Sequence, residues 1–244
     1  MTDEAVDATS AEKRFRIECE RYGFDLVQPF LVGWYDEQVE GSLRLGGPSE
    51  QSHRAYLVAN TKALWPAFTA ALAGDRELAE LEHPLDAYTE RQVARAAKSL
   101  GGGLRFRWAH DRGKRVVAMQ RLAAASGLAP LGPSHLNVHP VHGPWIGLRA
   151  VVITNWTASE VKPALLPNPC GDCEAHCLPH YRRARAASSS DPVRADVESN
   201  LALWLACRDA CPVGRASRYG TAQIRYHYLK DRSVLPNGSV GATP

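Results

Sequence analysis

The chain has 244 residues, of which 45% are apolar and 23% are charged, as is usual for globular proteins. This length fits one large domain, or one domain with a cap, better than two equal domains. The 29 basic and 26 acidic residues leave a formal net charge of +3, which is too small to indicate a nucleic acid or a membrane surface as the principal partner. We therefore expect neither of these partners.

The start of the chain favours a cytoplasmic location. Segment 1–10 is acidic and polar and lacks the basic and apolar regions of a secretory signal. No stretch approaches the roughly 18 apolar residues of a membrane-spanning helix. In a reducing compartment the six cysteines are expected to be thiols or metal ligands. We predict disorder in segment 1–10 and in the tail, 233–244.

The apolar patterns predict strands and helices in mixed order. Thr9 and Glu12 form a capping-box pattern, so a helix is expected to run from here to Gly23, with Cys19 on its buried face. The apolar pattern of the following residues predicts strands at 55–59, at 104–108 and after Gly147, and a strand with a buried irregular segment at 24–35. It predicts helices at 61–74, 85–100, 116–126 and 193–210. Residues 163–194 are rich in Pro, Cys, Arg and Ser and predict an irregular insertion or cap.

Five of the six cysteines form a cluster late in the sequence. They are spaced C-x2-C-x3-C and then C-x3-C-P, at Cys170, Cys173, Cys177, Cys207 and Cys211. Thiolates at these spacings can converge on one metal or cluster, and a Cys-Pro ending is typical of bacterial ferredoxin motifs. The cluster therefore predicts a metal site.

The identity of that metal stays open at this point. A complete ferredoxin motif has a further cysteine where Tyr181 stands, so a fourth ligand must come from Cys207 or Cys211. Three alternatives remain: a [4Fe–4S] or related cluster, a structural zinc site with His176 or His180 as a ligand, and thiols without metal.

Four segments of the chain read YGFDLVQPFLVGWYDEQV, AYLVANT, HPVHGPWIGLRAVVIT and RYGTAQIRYHYL. In this order, they resemble segments of the CblC (MMACHC) family of cobalamin-processing proteins and its bacterial relatives. The resemblance covers roughly residues 20–230. It implies an α+β fold like that of flavin nitroreductases, with a central antiparallel sheet flanked by helices and an irregular cysteine-rich cap. The cobalamin-binding core is expected at 11–160, and the cap with the C-terminal helices at 161–232.

The resemblance also implies a chemistry. Proteins of this family hold cobalamin with its lower base displaced and remove the upper axial ligand. They do so by reductive decyanation with electrons from a flavin such as FMN, or by transferring an alkyl group to glutathione or another low-molecular-weight thiol. We expect an oxidoreductase or an alkyl transferase. No acid–base catalytic residue is assigned, because the corrin cobalt carries the difficult step.

Site residues follow from the same resemblance. The arginines that match the thiol-substrate site are Arg149 and Arg218, and a guanidinium fork suits a peptide carboxylate. The implied cobalamin pocket comprises Phe30, Trp34, His139, Trp145 and Tyr219.

The cysteine-rich insert resembles the iron–sulfur segments of epoxyqueuosine reductases and reductive dehalogenases, which are cobalamin enzymes on a related fold. This second resemblance implies an iron–sulfur centre that replaces or supplements the flavin, with a flavin or ferredoxin reductase as partner. Two other functions stay open: an iron–sulfur electron-transfer protein and a non-catalytic cobalamin carrier. Either a monomer or a homodimer is expected.

Overall fold

The computed structural model describes residues 3–159, 168–188 and 194–236. In these ranges the helices α1 to α9 span, in chain order, Asp3–Arg21, Val32–Asp36, Leu64–Gly74, Arg76–Glu80, Pro84–Ala97, Met119–Ala125, Cys177–Ala187, Arg194–Asp209 and Thr221–Leu229. The strands β1 to β4 span Leu26–Leu31, His53–Asn60, Arg105–Trp108 and Gly147–Thr157. Over the described ranges, no helix combines the length and the apolar character that crossing a bilayer requires.

The four strands form one antiparallel sheet in the order β1-β2-β4-β3. The two central strands, β2 and β4, each contain an uninterrupted apolar run, and the residues of these runs are almost completely buried. Strands buried on both faces read as continuous apolar runs, which is why AYLVA and AVVI stand out in the sequence. The predicted α+β fold with an antiparallel sheet flanked by helices is confirmed.

Alternate residues of β2 enter two separate cores. Tyr56 and Val58 pack with α1, α3 and α5 on one face of the sheet, whereas Leu57 and Ala59 pack with α2 and α6 on the other. Side chains of a strand point alternately to opposite faces, so a single strand can stabilise both layers. The sheet is thus the middle layer of three.

The last helices pack at the end of this sheet around a small apolar cluster of Trp145, Tyr219 and Ile224. Helices α7 and α8 pack against each other, and α8 also contacts α9. This arrangement brings the 136–147 loop, the start of β4 and the segment after α8 to one place. The two pockets described in the next subsection lie in this region.

Three segments differ from the sequence-based expectations. Helix α1 begins at Asp3, inside the segment expected to be disordered, because no proline or glycine interrupts residues 3–22. The segment after β1 is a short helix, α2, whose five residues are all buried, instead of irregular chain. Helix α7 lies within the insertion expected to be irregular. Of the predicted disordered tail, residues 237–244 lie outside the described residues, and Arg232–Val234 form a short 3-10 helix.

Candidate functional site

The loop before β4 is held in a tight turn at 139–143 by backbone hydrogen bonds and by the side chain of His139. The backbone groups of His139 and Gly143 form a reciprocal pair of hydrogen bonds at 2.9 and 2.8 Å. The Nδ1 atom of His139 accepts from the backbone N–H groups of Val141 and His142, at 3.1 and 3.2 Å. Burial, reinforced by His142, lowers the pKa of His139 to about 4. The ring is therefore neutral near pH 7, with its proton on Nε2.

The same loop is fastened to the segment after α8. Nδ1 of His142 lies 2.8 Å from the hydroxyl of Ser217. Beside this contact the backbones of Gly143 and Gly214 approach so closely that neither position has room for a side chain. The loop and the segment before α9 consequently form one unit.

Trp145 anchors this unit between two arginines. Its ring is almost completely buried and packs edge-on against Tyr219, with ring centroids 5.5 Å apart. The guanidinium carbons of Arg208 and Arg218 lie 5.6 and 5.4 Å from the Trp145 centroid, within cation–π range. Arg218 also pairs with Asp209 through both carboxylate oxygens, at 2.7 and 3.1 Å.

A cavity opens beside Trp145, and we call it the arginine pocket. Its walls are formed by Ile146, Gly147, Arg149, Arg208, Tyr219, His227, Tyr228 and Lys230. Three of these residues are cationic, and none carries a carboxylate. The pocket therefore has the charge and the donor groups of an anion site.

Arg149 is fixed inside this pocket by a side chain of the neighbouring strand. Its Nε atom donates to the Oδ1 atom of the fully buried Asn60 at 2.6 Å, and Asn60 in turn donates to the backbone oxygen of Thr61 at 2.6 Å. Burial lowers the pKa of Arg149, yet a guanidinium remains charged in proteins. Within the described chain no carboxylate forms an ion pair with Arg149 or Arg208.

Arg208 reaches the pocket from α8. It donates to the backbone oxygen of Pro144, and its guanidinium carbon lies over the ring of Tyr228, 5.8 Å from the ring centroid. These neutral partners hold the guanidinium in place without neutralising it. Neither pocket arginine is thus directly paired with a carboxylate of the described residues.

Two further groups in the pocket have unusual protonation or hydrogen bonding. The hydroxyl of Tyr219 is buried, makes no hydrogen bond to any described residue, and has its pKa raised to about 12 by burial. His227 has its pKa lowered to about 2, mainly by burial and then by Arg149, so it adds no charge. A buried hydroxyl without a partner is costly, which indicates a position that a ligand satisfies.

A second pocket, the cysteine pocket, is also lined by α8. All five clustered cysteines line it: Cys170, Cys173, Cys177, Cys207 and Cys211. Much of the remaining wall is apolar and includes Pro133, Leu136, Val138 and Pro144. The two motifs, separated by 29 residues, therefore converge.

The thiols of this pocket are free. Burial, followed by the neighbouring cysteines, raises the pKa of Cys170, whereas burial is the main cause of the raised pKa values of Cys207 and Cys211. Within the described ranges no three His, Cys, Asp or Glu side chains are grouped so as to hold one metal ion. Metal binding, whether of zinc or of an iron–sulfur cluster, is thus not shown, although His176 lines the pocket.

The residues expected in the cobalamin pocket occupy two regions. Trp145 and Tyr219 are in contact, and His139 lies on the same loop as Trp145. Phe30 and Trp34 are buried in the core between the sheet, α2 and α6. Of the two predicted thiol-binding arginines, Arg149 lines the arginine pocket and Arg218 pairs with Asp209 outside it. The sixth cysteine, Cys19, is fully buried in the first core, as predicted.

Several pocket residues were not predicted from the sequence: Asn60, Arg208, His227, Tyr228 and Lys230. The last three form part of the run RYHYLK, whose density of aromatic and basic residues on a short helix was the available signal. Asn60 and Arg208 carry no such signal, because each belongs to the pocket only through contacts between distant parts of the chain.

Similar proteins were found among solved structures. The CblC protein of C. elegans, a B12-trafficking protein and a homologue of human MMACHC, aligns with a TM-score of 0.70 and 18% sequence identity, over 96% of this chain and 98% of that chain. Epoxyqueuosine reductase from Streptococcus thermophilus aligns with a TM-score of 0.51 and 13% identity, over 86% of this chain and 67% of that chain. No protein-family model and no curated protein sequence matches the chain.

These likenesses define the fold. The chain has a nitroreductase-like α+β fold in the form found in CblC, and the expected resemblance to CblC-type proteins is confirmed at this level. The alignment with CblC extends over nearly the whole of both chains, so it includes the cysteine-bearing helices as well as the sheet.

Proposed function

We propose that this protein binds cobalamin and removes its upper axial ligand, with a small thiol as the co-substrate. One observation carries the proposal. The arginine pocket holds two guanidinium groups without a carboxylate partner and a buried tyrosine hydroxyl without a hydrogen-bond partner, in a fold shared with a B12-trafficking protein. This donor set suits a ligand with carboxylates.

The pocket arginines would bind the thiol. Glutathione carries two carboxylates, and Arg149 and Arg208 offer two forks that stay charged at every physiological pH. Asn60 holds Arg149 by its Nε atom, which leaves the two terminal nitrogens of Arg149 free to donate to one carboxylate. The hydroxyl of Tyr219 would complete the contact. The protein would thus hold the sulfur at a fixed place, which favours reaction by proximity.

The 139–145 loop would bind the cofactor. When bound, cobalamin supplies the cobalt at which the bond to the upper ligand breaks. His139 would offer its Nε2–H as a donor to a cofactor amide or phosphate, because backbone groups already occupy its Nδ1. Trp145 and Tyr219 provide an apolar wall, while Phe30 and Trp34 support the sheet beneath. Reductive decyanation with electrons from FMN is the alternative reaction, and it also yields cobalamin without its upper ligand.

Arg218 would serve as a second carboxylate anchor only after releasing Asp209, to which it is bound by two oxygens. Such an exchange replaces one charge-assisted pair by another and costs little at an exposed position. Reduced cysteines and a thiol co-substrate both belong to a reducing, cytoplasmic compartment.

The test is a spectroscopic titration followed by turnover. Methylcobalamin and cyanocobalamin are added to the purified chain, and displacement of the lower base is followed in the visible spectrum. Glutathione is then titrated anaerobically, and loss of the cobalt–carbon bond is timed. We expect Arg149→Gln and Arg208→Gln to raise the KM for glutathione by roughly ten- to a hundredfold each, equivalent to about 1.5–3 kcal/mol, and to leave cobalamin binding unchanged.

Arg76→Gln is the matched control, because Arg76 is an exposed arginine paired with Glu80 far from the pocket in sequence. Arg218→Gln distinguishes an anchor from a surface ion pair. An unchanged cobalamin spectrum would overturn the proposal. If the lower base is displaced but no thiol or reduced flavin removes the upper ligand, the protein is a cobalamin carrier and not an enzyme.

A second function, iron–sulfur electron transfer, is favoured by the convergence of five cysteines on one pocket. In that case a flavin or ferredoxin reductase would supply the electrons, and the cysteine site would be the active centre. Electron transfer would be supported over cobalamin processing if dithionite reversibly bleached an iron–sulfur chromophore and the protein did not bind cobalamin.

A further inference from the structure

We propose that the cysteine pocket is a thiol–disulfide exchange site, in which Cys170 and Cys211 form a reversible disulfide and a low-molecular-weight disulfide, such as that of glutathione, is the oxidant. This inference does not depend on the proposed cobalamin chemistry and needs no metal. It rests on the small size of the pocket, on the place of each cysteine in the fold, and on the neighbours of Cys170.

The pocket brings the thiols of both motifs around one small space. All five clustered cysteines line a cavity with a volume of about 20 Å³, which is the space of about one water molecule. A disulfide is compact enough for such a space, because its sulfur atoms lie about 2.05 Å apart and its Cβ atoms about 3.8 Å apart. The size of the pocket therefore favours a bond between two sulfur atoms.

Cys170 and Cys211 lie outside the helices. Cys170 belongs to a turn before α7, in which its backbone N–H donates to the side chain of Asn168 at 3.0 Å. Cys211 lies two positions after the last residue of α8. Formation of a disulfide requires Cα atoms about 4.4–6.8 Å apart, and a turn can adjust to this distance more easily than a helix. Cys177 and Cys207, in contrast, belong to α7 and α8.

Exposure separates Cys211 from Cys207, the other cysteine of the second motif. Both Cys170 and Cys211 are half-buried, so a small disulfide can reach their sulfur atoms. Cys207 is only 2% exposed, and its thiol donates to the backbone oxygen of Cys177 at 3.7 Å. Because thiol–disulfide exchange requires access to the attacking sulfur, we assign Cys207 to the packing between α7 and α8.

The neighbours of Cys170 favour Cys211 as its partner. Burial is the main cause of the raised pKa of Cys170, and of the three cysteines that raise it further, Cys211 contributes most, ahead of Cys173 and Cys177. Coulomb interactions weaken with distance, so this order indicates that Cys211 is the nearest of the three. The expected disulfide therefore joins the two motifs, instead of closing within the first.

The reaction consists of two successive exchanges. The thiolate of one cysteine attacks a sulfur atom of the small disulfide, which breaks that S–S bond, forms a mixed disulfide and releases one small thiolate. The thiolate of the second cysteine attacks the protein sulfur of the mixed disulfide, forms the protein disulfide and releases the second small thiolate. The protein loses two electrons and two protons, and the small disulfide gains them and becomes two thiols. An excess of the small thiol reverses both exchanges.

The experiment uses the full chain, reduced and treated with a chelator under anaerobic conditions. The protein is incubated with increasing ratios of glutathione disulfide to glutathione, quenched with acid and alkylated with a maleimide. Intact mass then counts the free thiols, and peptide mapping locates the bond. We expect two of the six thiols to disappear together, a linked peptide that contains Cys170 and Cys211, and recovery of both thiols in excess glutathione.

Single variants separate the proposed pair from the other cysteines. Cys170→Ser and Cys211→Ser should each abolish the linked peptide. Each should also leave the remaining cysteine of the pair as a mixed disulfide with glutathione, because the thiol that resolves it is missing. Cys207→Ser and the core control Cys19→Ser should form the same bond as the wild-type chain.

Three results would overturn the proposal. The first is six free thiols in the presence of excess glutathione disulfide. The second is a wild-type chain that forms only mixed disulfides, which would show modification of separate thiols. The third is a bond between another pair, such as Cys173 and Cys177. Circular dichroism of each variant separates misfolding from loss of the bond, and the wild-type peptide map decides the pairing without any variant.

Discussion

Gly143 and Gly214 lie against each other's chain segments, so that the backbone of Val213 occupies the space for a side chain at Gly143 and the backbone of His142 occupies that space at Gly214. A Cβ atom on Gly143 would overlap the backbone oxygen of Val213, and one on Gly214 would overlap the backbone carbonyl of His142. Both residues also have positive φ angles, of 57° and 75°. The contact joins the proposed cofactor loop to the segment that leads into α9.

Gly214→Ala should therefore destabilise the protein. Backbone atoms cannot move aside as a flexible side chain would, and the left-handed conformation adds strain, so we expect a loss of about 2–3 kcal/mol in the free energy of unfolding. Urea unfolding measures this loss. Gly74→Ala is the control, since nothing lies within 4 Å of the position at the end of α3. Equal stability of the two variants would show that the two loops separate readily.

Substitution of Asn60 tests whether Arg149 is positioned or merely packed. Asn60→Ala removes the acceptor of Arg149 Nε, so the KM for the thiol should rise by about tenfold while kcat changes little. Asn60→Asp keeps the acceptor and places a negative charge beside the guanidinium. It should weaken thiol binding at least as strongly, because the arginine is then neutralised. Thiol kinetics with bound methylcobalamin distinguish these effects, and normal KM values in Asn60→Asp would argue against an anion site.

The partnerless hydroxyl of Tyr219 gives a prediction of opposite sign for stability and binding. Tyr219→Phe removes a buried polar group that no described residue satisfies, so the free protein should become more stable by about 1 kcal/mol. If the hydroxyl contacts the ligand, affinity for that ligand should fall by roughly tenfold. Thermal unfolding and calorimetric titration measure the two quantities. A destabilised variant with unchanged affinity would contradict both expectations.

Acid should destabilise the fold through two buried histidines. The pKa of His227 falls from 6.5 to about 2 in the folded chain, and that of His139 falls from 6.5 to about 4. Between these folded values and 6.5 the unfolded chain binds more protons, so stability is complete above pH 6.5 and is lost as the pH falls. Each histidine contributes a slope of up to about 1.4 kcal/mol per pH unit.

Urea unfolding between pH 7 and pH 5 measures this slope. His227→Gln cannot titrate and should make the profile shallower, whereas substitution of the exposed His83 should leave it unchanged. A wild-type stability that does not vary over this range would show that His227 is accessible to protons in the folded state.

The sequence was sufficient for the sheet but not for the whole site. The apolar run 55–59 and the Val-rich run after Gly147 predict the two central strands, because strands buried on both faces need little beyond local composition to be recognised. Arg149 and Tyr219 were found by resemblance. Asn60 and Arg208 were not, since they meet Arg149 and Pro144 across 89 and 64 positions of the chain.

The cysteine motifs illustrate the same limit. Their spacing predicted that five thiols converge, and all five line one pocket. Spacing alone did not show that the thiol of Cys207 donates to the backbone oxygen of Cys177, because that contact joins residues 30 positions apart. Similarly, the start of α1 at Asp3 follows from the absence of helix breakers instead of from the capping box.

Three consecutive residues of α8 take part in three different sites. Cys207 lines the cysteine pocket, Arg208 lines the arginine pocket, and Asp209 holds Arg218. Each residue of a helix is rotated by about 100° from the one before it, so one inserted residue upstream in α8 would turn all three away from their positions together. The length and rotational phase of α8 therefore set the positions of all three side chains together. An insertion or deletion in α8 would change both pockets at once.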